Sequence, residues 1–117
     1  MKEYKINPVP KPRMTKADKW KKRVSTTRYW EFKDEINRLG VTLNSGDSIT
    51  FIIPMPKSWS KSKRKKMLGE PHTQKPDIDN LLKAVLDSIY EDDSHIYGLA
   101  GLWKYWGDEG AILITTK

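Results

Sequence analysis

The sequence predicts a small α+β protein: one domain spanning residues 1–117, with a small mixed β-sheet and flanking helices. Its length of 117 residues is typical of a single domain, with room for one modest core. Apolar residues recur at helical spacing in some segments and form short β-branched runs in others. The predicted elements follow the order β-α-β-α-α-β-β, which favours the α+β class.

The first half of the chain predicts two strands and the helix between them. Residues 4–9 predict a short edge strand, which prolines end. Residues 27–39 carry apolar side chains at helical spacing, and a glycine follows at the usual stop. Residues 48–53 are mostly β-branched or aromatic and predict a buried strand that two prolines close.

The second half predicts two helices and then two strands. Residues 58–69 predict a short basic helix that ends at a glycine. Residues 78–90 give the strongest helix signal, with an apolar face made of Leu81, Leu82, Val85, Leu86 and Ile89. Residues 94–106 and 111–116 predict two strands, and the glycine-containing turn between them suits a hairpin.

Charge is unevenly distributed along the chain. Residues 1–66 hold 18 Lys+Arg and six Asp+Glu, a net charge of +12, whereas residues 67–117 hold four and nine, a net charge of −5. A basic surface releases the counterions condensed on phosphates, so this asymmetry favours nucleic-acid binding over a merely solubilising surface or a disordered tail.

Two basic segments are the candidate DNA-binding regions: a basic arm or loop at residues 11–23 and a basic insertion at residues 57–69. They would bind backbone phosphates and recognise the shape of the nucleic acid. The DNA-binding candidates are Lys11, Arg13, Lys16, Lys21, Lys22, Arg23, Lys61, Lys63, Arg64, Lys65, Lys66 and Lys75.

The composition also excludes several classes of protein. No apolar run approaches 18 residues, so we expect no membrane-spanning helix. The N-terminus lacks the apolar stretch of a signal peptide. The chain has no cysteine, which excludes disulfides and thiolate metal sites. Together these observations favour a cytoplasmic protein.

Residues 75–96 are the most informative segment, because six of these 22 residues are acidic in a chain of net charge +7. Asp77 and Asp79 stand at the predicted helix start, and Asp92 and Asp93 follow its end. Residues four apart on a helix are displaced by only about 40°, so Asp79, Lys83 and Asp87 share one stripe. Carboxylates this close repel one another unless a cation lies among them, and a hard divalent metal is the simplest candidate.

Structural roles explain several of these acids equally well. Asp77 is a plausible N-cap, Asp79 in the first turn suits the helix dipole, and Asp79 and Lys83 are spaced for an ordinary i,i+4 pair. Acids after the helix end oppose the dipole, however, so structural roles alone do not account for them. Spacing alone leaves both metal-assisted chemistry and structural roles open.

The segment 75–83, followed by Asp87 and then Asp92-Asp93-Ser94, resembles the signature of the RusA family of Holliday junction resolvases. The family pattern is Pro-Asp-x-Asp-Asn-Leu-x-Lys, followed by a pair of aspartates, a small or polar residue and glutamine. A basic segment near the N-terminus and Lys104-Tyr105 in the last part of the chain are also similar.

The resemblance implies a homodimeric, Mg²⁺-dependent endonuclease that cuts paired strands of branched DNA at a four-way junction. It implies Asp77, Asp79, Lys83 and Asp93 as catalytic residues. It also implies a metal bound by Asp77, Asp79 and Asp93, with Asp92 assisting. Lys83 would neutralise charge on the phosphoryl oxygens or orient the attacking water.

Two departures from the family pattern affect the site. The link between the helix and the aspartate pair is short, which leaves open whether Asp92 or Asp93 is the third essential metal ligand. His95 replaces the usual glutamine, which alters a supporting hydrogen bond and removes no ligand. The alternatives to a junction endonuclease are a metal nuclease acting on flap or fork DNA and a non-catalytic basic DNA-binding protein.

Overall fold

The computed structural model of the chain describes residues 1–12 and 24–116, without the side chains of residues 24–26. Its elements in chain order are β1 (Lys2–Tyr4), α1 (Val24–Leu39), β2 (Ser48–Pro54), α2 (Lys61–Met67), α3 (Ile78–Ile89), β3 (Gly101–Gly107) and β4 (Ala111–Thr115). The predicted α+β class and element order are confirmed. No described helix is long and apolar enough to cross a bilayer.

The four strands form one mixed sheet in the order β1-β4-β2-β3. Strand β2 pairs in parallel with β3, with Phe51 opposite Lys104, and antiparallel with β4. The parallel pair is joined by the long connection that contains α2 and α3, as a parallel pairing requires. Both candidate functional helices therefore lie within a single crossover.

The predicted hairpin between the last two strands is wrong, because β2 separates β3 from β4. Their short link instead crosses the end of β2. Gly107 permits this close approach, because a Cβ there would clash with a methyl carbon of Ile52 in β2. Gly110 lies against the chain that follows β1, where a Cβ would lie 2.7 Å from the Asn7 Cα. A glycine-containing turn is therefore compatible with a crossing as well as with a hairpin.

The hydrophobic core lies between one face of the sheet and helices α1 and α3. The sheet contributes apolar residues that are paired across β2 and β4 and therefore lie on the same face. Ile49 pairs with Ile114, and Phe51 pairs with Ile112. The fully buried Ile36 of α1, together with Leu81 and Val85 of α3, packs in the same cluster. Burying this face fixes which side of α3 points away from the core.

Two predicted strands have the wrong bounds. The first is expected at residues 4–9 but spans Lys2–Tyr4, and the apolar Ile6 that suggested a strand instead packs in the core from the segment that follows. The strand predicted at residues 94–106 begins only at Gly101. Residues 94–100 form a loop held to the turn before β2, where the Gly46 N–H donates to the Gly98 carbonyl at 2.9 Å.

Candidate metal centre and nucleic-acid interface

Helix α3 presents the candidate catalytic side chains on its exposed side. Its buried residues are Leu81, Ala84, Val85, Leu86 and Ser88. Asp79 and Lys83 are exposed and Asp87 is half-buried, so the predicted stripe lies opposite the core face. The amphipathic pattern that folds the helix thus also directs this stripe outward.

The Lys83 ammonium connects the helix to the acidic turn that follows it. Its Nζ donates to Asp93 Oδ2 at 2.9 Å and lies 3.2 Å from Asp87 Oδ1. These hydrogen bonds, first to Asp93 and then to Asp87, raise the pKa of Lys83, so it is protonated at neutral pH. The ordinary i,i+4 partner of Lys83 is therefore Asp87 rather than Asp79.

Asp87 is the centre of this ion-pair cluster. Its Oδ2 lies 2.6 Å from Lys11 Nζ and 3.5 Å from the Tyr29 hydroxyl of α1. Burial tends to raise the Asp87 pKa, but the pairs with Lys11 and Lys83 outweigh burial and hold the pKa below its usual value. Burial and the same carboxylate raise the pKa of Tyr29 to about 12. Asp87 thus remains ionised and gives Lys83 a second carboxylate partner besides Asp93.

The two adjacent aspartates of the turn have different partners. Asp92 Oδ1 accepts a hydrogen bond from the Ser94 N–H at 2.9 Å, and this bond lowers the Asp92 pKa. Asp93 is half-buried and bonds Lys83. His95 packs edge-on against the Tyr90 ring, whose hydroxyl donates to the Leu43 carbonyl at 2.7 Å. Asp92 therefore shapes the turn, whereas Asp93 faces the motif lysine.

Asp77 occupies the N-cap position of α3, with φ −68° and ψ 145°. Its backbone carbonyl accepts the Leu81 N–H at 3.2 Å, and within the described residues its side chain makes no capping hydrogen bond. Asp79 Oδ1 accepts the Asn80 N–H at 2.9 Å. Both carboxylates are exposed and retain oxygens that can take a cation.

The donor set fits a hard cation, although the described residues contain no group of three or more acidic or histidine side chains close enough to hold one alone. Mg²⁺ typically keeps several waters and uses one or two carboxylates together with substrate phosphates. Exposed aspartate oxygens match that requirement in chemistry. Which of Asp77, Asp79, Asp92 and Asp93 converge on a metal stays a prediction.

The loop that carries Asp77 is attached to the edge of the sheet. Lys104 of β3 donates from Nζ to the carbonyl oxygens of Gln74 at 2.6 Å and Pro76 at 2.8 Å. His72, from the same loop, is buried against the Trp106 ring, with centroids 4.2 Å apart. Burial and Lys104 lower the His72 pKa, so this histidine is a neutral packing residue.

The basic helix α2 displays most of its cations to solvent. It begins at Lys61 after the Ser60 cap and has no buried residue; Lys61, Lys63, Lys65 and Lys66 are all exposed. The Lys63 ammonium lies over the Trp59 ring, 4.3 Å from its centroid. Arg64 instead turns to the protein, donating to the Pro56 carbonyl at 3.0 Å and pairing with Asp108 at 3.8 Å.

The remaining DNA-binding candidates fall into two groups. Lys75 is exposed next to the acidic motif, and the Lys11 ammonium is paired with Asp87. Arg13, Lys16, Lys21, Lys22 and Arg23 lie outside the described residues.

Comparison with known proteins identifies the family. The chain matches the family described as "Endodeoxyribonuclease RusA" over residues 5–117, nearly its whole length. The protein therefore belongs to the RusA endodeoxyribonuclease family. The resemblance carried by residues 75–96 is confirmed at the level of the family.

The chain is also similar to a protein named "Uncharacterized protein YqaN" from Bacillus subtilis (strain 168). The two are 44% identical over 72 residues, which cover 55% of this chain and 50% of that protein. The chain thus spans about half the length of this curated relative.

Sequence reasoning missed three contributors to the site. The sequence pattern places Asp87 on the functional stripe without a role and assigns Lys11 only to DNA binding. Their spacing on the stripe and in the basic arm gave no sign that they pair with each other. Lys104 had no local signal beyond the Lys-Tyr resemblance, because its partners lie about 30 residues earlier in the chain.

Proposed function

We propose that this protein is a Mg²⁺-dependent, structure-selective endonuclease that resolves four-way DNA junctions in recombination and repair. The observation that carries the proposal is the contact of Lys83 with Asp93 at 2.9 Å. This contact brings together the two parts of the acidic motif, because Lys83 belongs to helix α3 and Asp93 to the turn that follows it. Family membership over residues 5–117 supports the nuclease class.

The proposed metal ligands are Asp77, Asp79 and Asp93, with Asp92 in a supporting role. Asp92 already accepts the Ser94 N–H, which favours Asp93 as the third ligand. A bound Mg²⁺ supplies Lewis acidity toward the scissile phosphate and makes a water nucleophilic near neutral pH. In this proposal the three carboxylates would hold the metal from the helix start and from the turn, and the exposure of Asp77 and Asp79 leaves both accessible to it.

Lys83 acts as a fixed positive charge in this proposal. Its raised pKa makes it a poor proton acceptor, so its role is to stabilise negative charge that develops on the phosphoryl oxygens. Asp87 contacts Lys83 independently of Asp93. Lys83 would therefore keep Asp87 as a partner if the Asp93 oxygens bound the metal.

The basic segments are proposed to supply affinity. The exposed lysines of α2, with Lys75, would neutralise backbone phosphates, together with the cations of residues 11–23. Lys11 has a second function, since it holds Asp87. Arg64 contributes less to DNA binding in this proposal, because its guanidinium already bonds Pro56.

A homodimer is the proposed active form, because two cuts in symmetry-related strands require two sites in matching orientation. The sheet face opposite the core offers a surface for it. Trp103 is 54% exposed there and pairs with the half-buried Thr50. Sedimentation at micromolar concentration is expected to give twice 13.6 kDa, and Trp103→Ala is expected to shift the equilibrium toward monomer. A wild-type mass of 13.6 kDa that junction DNA does not change would contradict the dimer.

The deciding experiment compares cleavage of a synthetic four-way junction, a flap and a linear duplex, with Mg²⁺ and with EDTA. Paired, Mg²⁺-dependent incision of the junction at a rate well above that of the flap and the duplex is expected. Faster cleavage of flap or fork DNA would instead favour the related nuclease. Binding without cleavage of any substrate would favour a non-catalytic basic DNA-binding protein.

A further inference from the structure

Residues 69–76 run along the outer edge of β3 and bring the chain from the basic helix to the acidic motif. Backbone hydrogen bonds attach the first part of this segment: the Gly69 N–H donates to the Trp106 carbonyl, and the Trp106 N–H donates to the Glu70 carbonyl, both at 2.9 Å. The His72 N–H then donates to the Lys104 carbonyl at 3.1 Å. This backbone ladder stops before the residues that lead directly into α3.

The Lys104 side chain continues the attachment where the ladder stops. Its ammonium donates to the Gln74 carbonyl at 2.6 Å and to the Pro76 carbonyl at 2.8 Å. The base of this side chain is itself held within the sheet, because Lys104 is paired with Phe51 of the central strand β2. A hydrogen bond from a charged donor such as this ammonium is stronger than one between neutral groups.

We propose that Lys104 is a positioning residue that fixes Asp77 for metal binding; this inference rests on the proposed nuclease function. The Pro76 carbonyl that Lys104 binds belongs to the peptide bond that enters Asp77. A displacement of that carbonyl therefore passes directly to the Asp77 backbone. Asp77 makes no side-chain capping bond within the described residues, so its position depends on this backbone attachment.

A direct phosphate contact is the competing role for this lysine. Two of the three ammonium donors already bond carbonyls in the protein, and the side chain is half-buried rather than extended into solvent. This arrangement favours positioning over DNA binding. The two roles differ in what they control: metal affinity in the first case, and the salt dependence of DNA binding in the second.

The experiment compares Lys104→Met, Lys104→Arg and wild type, with Lys5→Met as a control for the loss of one cation from an exposed site. Amide exchange of Leu81 reports Asp77 directly, because the Leu81 N–H donates to the Asp77 carbonyl. Amide exchange of His72 reports the backbone ladder. Mg²⁺ binding by calorimetry and the Mg²⁺ dependence of junction cleavage complete the comparison.

For Lys104→Met we expect Leu81 exchange to accelerate about tenfold, the order expected when one or two net hydrogen bonds are lost, with His72 exchange unchanged. We expect Mg²⁺ affinity to fall roughly 10-fold to 100-fold, as when a supporting partner of a metal ligand is removed. Lys104→Arg, which keeps charged donors, should restore most of both values. Lys5→Met should match wild type.

Three results would overturn the assignment. Leu81 exchange and Mg²⁺ affinity within about twofold of wild type in Lys104→Met would remove the positioning role. Equal acceleration at Leu81 and His72 would indicate a general loss of stability. A lower salt slope of junction binding with unchanged Mg²⁺ affinity would make Lys104 a DNA contact. If wild type cleaves no DNA, the proposed function fails, while Leu81 exchange still decides whether Lys104 holds Asp77.

Discussion

Helices α2 and α3 are consecutive in the chain but use their charged residues in opposite ways. Helix α2 has no buried residue and exposes four lysines, of which Lys65 and Lys66 make no ion pair with the described residues. Helix α3 buries five residues and engages its one lysine with two carboxylates. Charge displayed to solvent is suited to binding a polyanion, whereas charge fixed by internal partners is suited to chemistry.

Among the substitutions that test this difference between α2 and α3, replacement of a motif aspartate is expected to have the largest effect on the cleavage rate. Asp79→Asn should lower the cleavage rate by roughly a hundredfold to a thousandfold, the size typical of losing one electrostatic catalytic group. Junction binding should be retained or tighter, because a negative charge facing the phosphate is removed. Single-turnover cleavage and a binding isotherm measure the two effects.

Asp34→Asn on α1 is the matched control, since Asp34 is also an exposed helical aspartate. It should cleave at the wild-type rate. Cleavage by Asp79→Asn within a few-fold of wild type would make Asp79 structural, and the same comparison applies to Asp77 and Asp93.

Lys83 tests whether the fixed charge on α3 acts in chemistry. Lys83→Met should reduce the rate at saturating DNA by roughly tenfold to a thousandfold, while leaving the salt slope of binding unchanged. Lys33→Met is a suitable control, because Lys33 is also a helical lysine and lies over the Tyr29 and Trp30 rings. If the salt dependence of junction binding were lower and the cleavage rate were unchanged, Lys83 would be a DNA-binding residue rather than a catalytic one.

Neutralising the displayed charge should have a smaller and different effect. Lys65→Gln with Lys66→Gln should weaken junction binding and reduce the log–log salt slope by up to about one unit per lost phosphate contact. The cleavage rate at saturating protein should persist. Lys2→Gln with Lys5→Gln, a pair of the same charge at strand β1, controls for net charge; equal effects of the two pairs would mean that α2 has no special role.

The smallest expected effect concerns pH and the stability of the α3 cluster. Because the folded pKa of Asp87 is lowered, its ion pairs stabilise the protein above the unfolded pKa of about 3.9 and are lost as pH falls through the folded value. Asp87→Asn should therefore reduce the free energy of unfolding at pH 7 by about 1 kcal/mol. Urea unfolding at pH 7 and pH 3 measures this difference, which should shrink at the lower pH. If the difference in the free energy of unfolding between wild type and Asp87→Asn were the same at both pH values, the loss of stability would come from packing and not from the ion pairs.

The sequence predicts the helices better than the sheet. The apolar face of α3 and its boundaries follow from local periodicity, and the structure moves the helix end by one residue. The order of the strands depends on contacts far apart in sequence, such as the pairing of Ile49 with Ile114. The residues between Gly107 and Gly110 suit a tight turn, and their composition does not reveal that β2 lies between β3 and β4.

The candidate site shows the same limit. The motif predicted that Lys83 and Asp93 belong to one site, and the structure places them in contact. The supporting residues Lys11 and Lys104 come from segments remote in the chain, and lysine is common enough in this sequence that composition alone singles out neither. The convergence of the three proposed carboxylate ligands stays a prediction.

The strand order has a consequence for how the molecule can be divided. Strands β1 and β2 come from the basic half of the chain and β3 and β4 from the acidic half, and every strand pairing joins one half to the other. Among the residues that the structure describes, neither half contains two strands that pair with each other. A protease cut or a gene fragment is therefore not expected to yield a folded basic half free of the acidic residues of α3 and the turn that follows it. We therefore expect the basic helix α2 and the acidic residues around α3 to fold together, so that each can be altered by substitution but not separated as a module.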